Sequence, residues 1–189
     1  QVVEYDPEWP GGFEVVRDQL VDRLGDAATS IHHIGSTSVP GMAAKPTIDV
    51  LVVAADTAAV LDRLDALAAL GFEHRPDAWP DPQRHLFLRR VVDCRRTHHL
   101  HVVPEGSAEI DDYLTLREFL RRNPDEAAAY QRHKFELVAD TGGERDAYVD
   151  RKALYVDDLL VRARAWSISV GRAPGNAPPE PPPGRRGPT

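Results

Sequence analysis

Between His32 and Val53 the chain reads HHIGSTSVPGMAAKPTIDVLVV. A short apolar strand runs into Gly35-Ser36, a loop returns through Lys45-Pro46, and a β-branched strand follows carrying one carboxylate, Asp49. This layout is expected to form a phosphate-handling edge. Glycine has no Cβ, so backbone N–H groups at Gly35 can approach an anion closely, and the hydroxyls of Ser36 and Thr37 add polar contacts. A brief helix starting after Ser36 would aim its unpaired N–H groups and its dipole at the same anion. The segment is not a Walker loop. Gly41 is followed by Met42, and Lys45 precedes Pro46, so the spacing G-x-x-x-x-G-K-[ST] is missing. Kinase chemistry of the P-loop type is therefore not expected.

A chain of 189 residues, 42% of them hydrophobic, supports one core. The expected organisation is one domain over 1–168 and a disordered tail over 169–189, because GRAPGNAPPEPPPGRRGPT has no hydrophobic period and cannot offset the entropy of ordering. PPEPPP is either a spacer or a polyproline ligand. The formal charge of -7 argues against a general nucleic-acid binder, although a small anion can still find a local basic pocket. One cysteine, Cys94, excludes an internal disulfide framework and fits a reducing compartment. No apolar run approaches the roughly 20 residues of a membrane span, and no charged-then-apolar leader is visible, so a cytoplasmic protein without membrane contact is expected.

Phe13, Val16, Leu20 and Leu24 recur at helical spacing, with Gly25 where a helix would stop. Strands are expected over 30–34 and 47–53, then one helix from Asp56 or Thr57 to Leu70. A Pro- and Asp-rich loop over 76–82 leads to a hairpin, 86–92 with 98–103, turned around 93–96. Helices are expected over 109–122, 124–140 and 144–166, the last two separated by Gly142-Gly143.

Side chains alternate across a strand, so Thr47 and Asp49 share one face, as do His99 and His101. If these strands are neighbours, the four residues converge on one patch. Asp49, His99 and His101 would then be candidate ligands of a divalent ion, Mg, Mn or Zn, with metal-dependent hydrolysis as one outcome. The competing reading is an Asp49 hydrogen bond to a basic side chain, with the histidines packed at the sheet. His32 and His33 face opposite ways, so at most one joins. Lys134 follows Tyr130 by four residues and Lys152 follows Tyr148 by four, so each pair shares a helix face. Tyrosines there could stack on a base, and Arg117, Lys134 and Lys152 could meet its phosphates; surface charge and simple packing are the alternative.

Taken together, YDPEWP (5–10), HIGSTSVPGMAAKPTIDV (33–50), HLHVV (99–103), LREFLRRNP (116–124), YQRHK (130–134) and YVDRK (148–152) resemble the GrpB family over most of 2–166. The resemblance implies an α+β, nucleotidyltransferase-like fold: a mixed sheet flanked by helices, with a C-terminal helical segment. It further implies that Gly35, Ser36, Thr37 and Lys45 cradle a nucleotide's phosphates, the nucleotide being substrate rather than cofactor. In active nucleotidyltransferases two acids flank an apolar residue on the next strand, and a third acid comes from a neighbouring strand. Here those positions hold Thr47, Asp49 and His101, leaving Asp49 and His101 as candidate catalytic residues. Losing two of three carboxylates removes most of the charge that holds two Mg ions. The resemblance therefore implies either a divergent transferase of nucleoside monophosphates or an inactive folding or regulatory module. Because some family members are fused behind dephospho-CoA kinase, the second role would lie in coenzyme A biosynthesis with that enzyme as partner.

Overall fold

The computed structural model describes residues 2–81, 84–140 and 145–171, with backbone alone for 145–150. Helix α1 (Trp9–Leu24) precedes the antiparallel pair β1 (Ala28–Ile34) and β2 (Ile48–Ala54). Then come α2 (Thr57–Leu61), α3 (Leu64–Ala69), β3 (Phe72–His74) and the hairpin β4 (Leu86–Val92) and β5 (Arg95–Pro104). Helices α4 (Ala108–Arg122), α5 (Pro124–Asp140) and α6 (Arg145–Ser169) complete the described chain.

The five strands lie in the order β1-β2-β5-β4-β3. All neighbours are antiparallel except β2 and β5, which run parallel and set Asp49 opposite His99 and Leu51 opposite His101. Alternation then divides the sheet into two faces. Val50, Val52, Leu86, Leu88, Leu100 and Val102 pack on Phe13, Val16, Leu20 and Leu24 of α1 and on Val60 and Leu67 of α2 and α3. Each such side chain contributes about 1.5–3 kcal/mol when fully buried. On the other face α4 covers Ile34, Leu51, Val53 and Val103 through Leu114. Beyond it, Val39 and Met42 of the β1–β2 loop insert among Phe119, Leu120, Tyr130, Leu159 and Ala163 of the last three helices. Asp49, His99 and His101 share this second face, where the Asp49 and His99 side chains keep partial exposure and His101 is buried.

Four local readings change. The helix expected from 56 or 57 to 70 is two helices, broken at Asp62-Arg63, where the Arg63 guanidinium donates to Ala59 O at 2.6 Å. Strand β3 went unread because three residues show no period. The hairpin turn is tighter than expected: Asp93 (φ 50°) and Cys94 (φ 61°) both sit in the left-handed region and form a two-residue turn, so β5 starts at Arg95. Helix α6 continues to Ser169, past the expected end at 166. The Gly142-Gly143 break and most of the expected tail, 172–189, lie outside the described residues.

Candidate functional site

The turn after β1 and the acid on β2 open side by side. Gly35 holds φ 70° and ψ −173°, a conformation that side chains avoid. A Cβ at Gly35 would collide with Asp49 Oδ2 and stand 3.0 Å from its Cγ. The exposed backbone of the turn therefore borders the carboxylate. On its other oxygen, Oδ1, Asp49 meets His99 Nδ1 at 2.9 Å. Burial alone would raise the Asp49 carboxyl, but the His99 hydrogen bond, and after it the electrostatic influence of His99, His101 and Lys152, hold it below the usual carboxylate range.

The last helices bring cations to this turn, and most of them grip it. Lys134 Nζ donates to Ala43 O at 2.6 Å and to Ser36 Oγ at 3.2 Å. Arg121 Nε donates to Ser38 O at 2.9 Å, and Arg117 Nη1 to His33 O at 3.0 Å. Ala43 N donates to Gln131 Oε1 at 2.7 Å. Lys152 is half-buried, and its charge reaches both Asp49 and Lys134. Gly35, Ser36, Asp49, Lys134 and Lys152 are thus brought together. Lys45 is exposed on the loop before β2.

Thr37 is turned inward at 1% exposure, where its hydroxyl donates to Thr47 O at 3.4 Å and lies 3.0 Å from His33 Nε2. Thr47 precedes β2 and gives its hydroxyl to Arg96 O at 3.0 Å. His33 stacks on Phe13 on the α1 side with ring centroids 4.8 Å apart, while His32 lies on the other face, its Nε2 2.9 Å from Ser30 Oγ. Tyr130 is buried, stacked on Tyr155 at 5.7 Å with Lys134 Nζ 4.8 Å from its ring, which removes it as a platform for a base.

His101 lies on the shared face but is buried in a ring cluster. Its Nδ1 stands 3.1 Å from His85 Nε2 and 3.4 Å from Tyr113 Oη. Burial, opposed by Asp49 and aided by His85 and His99, lowers its pKa to about 3, and burial lowers His85 to about 4, so both rings are neutral. Asp49, His99 and His101 therefore fit a resident divalent ion poorly. One carboxylate oxygen is committed to His99, and one acid is too little charge for Mg. Among the described residues no three His, Cys, Asp or Glu side chains group to hold an ion. His85, Tyr113 and Gln131 carry no signal in the sequence: a lone His before an apolar strand and a lone Gln on a helix have no spacing pattern.

Lys134, 3% exposed, has its pKa drawn down to about 7, chiefly by burial and then by Lys152. An unfolded lysine keeps its proton to about 10.5, so between about 7 and 10.5 the unfolded chain binds more protons and stability rises with pH. Below that window both states are protonated and the full desolvation penalty remains. Urea denaturation is expected to show this rise in the wild type and a flatter profile in Lys134→Met. Equal slopes in the two proteins would refute it.

The strand order and flanking helices define the class: a nucleotidyltransferase-like fold, shared with the Cid1 poly(U) polymerase in its MgGTP-bound structure. That likeness has a TM-score of 0.52 at 14% identity, over 74% of this chain and 44% of that one, and is one of fold. Residues 1–162 match the family described as GrpB protein, and the chain belongs to it. A UPF0157 protein of Streptomyces coelicolor is 36% identical over 86% of this chain and 82% of its own length. The crystal structure of conserved protein GrpB from Enterococcus faecalis has a TM-score of 0.80 at 31% identity, covering 88% of this chain and 99% of that one. A protein of Mycolicibacterium paratuberculosis named dephospho-CoA kinase is 29% identical over 92% of this chain, which spans 48% of it. Among the described residues no helix is long and apolar enough to cross a membrane.

Proposed function

We propose that the Gly35-Ser36 turn and the partly exposed Asp49 beside it bind a nucleotide or a similar phosphorylated small molecule and transfer a nucleoside monophosphate to an acceptor. The supporting observation is the juxtaposition of an exposed glycine turn with Ser36, Lys134, Lys152 and an ionised Asp49. Lys152, half-buried and close enough to disturb Lys134, gains when a polyanion arrives beside it. Backbone N–H groups at Gly35-Ser36 supply directional contacts.

Thermal-shift measurements with the four nucleoside triphosphates, with and without Mg, test the binding step. A ligand at a hundredfold excess over its Kd adds about 2.7 kcal/mol. At least one triphosphate is expected to raise Tm, and Lys152→Ala is expected to reduce that gain. No shift with any of them would remove the reading.

A second reading is a module that keeps the fold and assists dephospho-CoA kinase without turnover. The kinase-named relative, of which this chain spans about half, favours it. Binding of dephospho-CoA kinase in solution, with no pyrophosphate release from any triphosphate, would select it.

A further inference from the structure

Asp49 uses its oxygens on two different neighbours. Oδ2 borders Gly35, and Oδ1 meets His99 Nδ1 at 2.9 Å. An ionised carboxylate can only accept, so Nδ1 carries the proton facing Asp49, and Nε2 is the ring nitrogen left to exchange one with a ligand. His99 Nε2 is buried and has no hydrogen-bond partner among the described residues. A buried nitrogen left unpaired in this way costs about 1–3 kcal/mol, which a bound molecule's hydroxyl would recover once a side-chain shift admits it, since the atom is closed to solvent in this arrangement. The pair is also rigidly placed. Asp49 and His99 are register partners within a parallel ladder running from Ile48↔His98 to Ala54↔Pro104 in the middle of the sheet, rather than residues of a loop. Phe87, 5.2 Å from His99 between ring centroids, walls the imidazole on the β4 side.

We propose that Asp49 and His99 form a carboxylate–imidazole pair that activates an alcohol acceptor, with His99 as general base and Asp49 as the residue that positions it. The inference rests on the nucleotide reading above and names the acceptor class for the same site. The acceptor hydroxyl oxygen attacks the α-phosphorus of a nucleoside triphosphate, and a phosphodiester bond forms. The bond from that phosphorus to the bridging oxygen breaks, and pyrophosphate leaves with the electron pair. The hydroxyl proton passes to His99 Nε2, Asp49 stabilises the resulting imidazolium, and the proton returns to solvent after product release. Such a base supplies locally part of what the missing carboxylates would have supplied through metals.

The test compares wild type, His99→Asn and His99→Ala. The Asn amide nitrogen takes the place of Nδ1 and keeps a donor for Asp49, while the Nε2 lone pair is lost. Calorimetry with a non-hydrolysable ATP analogue reads binding, and pyrophosphate release from ATP with water, glycerol or a metabolite extract as acceptor reads transfer. His99→Asn is expected to bind the analogue nearly as wild type does and to release pyrophosphate about 10²–10⁴-fold more slowly. Added imidazole is expected to restore part of the rate in His99→Ala, which a merely structural histidine would not allow. An Asn variant that turns over at the wild-type rate overturns the base and leaves the nucleotide reading standing. Wild type that fails to bind the analogue overturns the site itself. Wild type that binds it and releases no pyrophosphate with any acceptor overturns the transfer step and the base with it.

Discussion

Arg117→Ala is expected to lower stability by about 3–5 kcal/mol, the cost of stripping one partner from a buried ion pair. The side chains of Arg117 and Glu118 are 1% and 8% exposed, and the guanidinium Nε stands 3.2 Å from Glu118 Oε1. Its Nη1 also donates to His33 O at 3.0 Å, just before the glycine turn. Removing it leaves a buried carboxylate with Arg121 at 3.4 Å and Arg122 at 3.7 Å, both farther than the lost Nε. It also leaves a buried carbonyl without that donor. Arg122→Ala is the matched control: 62% exposed, it should cost no more than about 1 kcal/mol. Urea denaturation of both variants checks the contrast, and equal losses would show that Arg117 does not clamp the cradle.

Gly35→Ala is expected to abolish the thermal shift with nucleotide and to destabilise the fold by about 1–3 kcal/mol, the cost of forcing a side chain into a glycine-only region. The methyl group would have nowhere to go. It meets Asp49 Oδ2, Cγ at 3.0 Å and Cβ at 3.1 Å, and those atoms belong to a central strand that cannot retreat. Either the turn moves away from the carboxylate or Asp49 rotates and gives up the 2.9 Å contact with His99. A Gly35→Ala protein with wild-type Tm and an undiminished nucleotide shift would show that the close approach is unimportant.

Much of the architecture could be read from local pattern. The 3.6-residue spacing of Phe13, Val16, Leu20 and Leu24 marks α1, and all four are in the core. Alternation in 47–53 and 98–103 marked which residues share a face, and the parallel β2–β5 ladder brings those faces together. The cations were harder. Arg117 and Lys134 were read as phosphate contacts, yet Arg117 holds a carbonyl and Glu118, and Lys134 holds Ala43 O as well as Ser36. A helix sequence shows which face a lysine occupies but not whether water, a ligand or a backbone carbonyl lies opposite. Thr37 illustrates the same limit: its neighbour Ser36 is half-exposed at the turn, while Thr37 is turned inward onto Thr47 O and His33.

The sequence by itself determined the long helices, the four longer strands, the glycine at the sharp turn and the membership of Asp49, His99 and His101 on polar strand faces. These follow from short-range sterics and from hydrophobic periods that act over a few residues. Only the tertiary structure decided that Asp49 faces His99, fifty residues away, that His101 is sealed by His85 and Tyr113, and that α4 and α5 hold the turn by its carbonyls. Those pairings depend on burying both sheet faces at once and satisfying every polar group this encloses, which no local segment specifies.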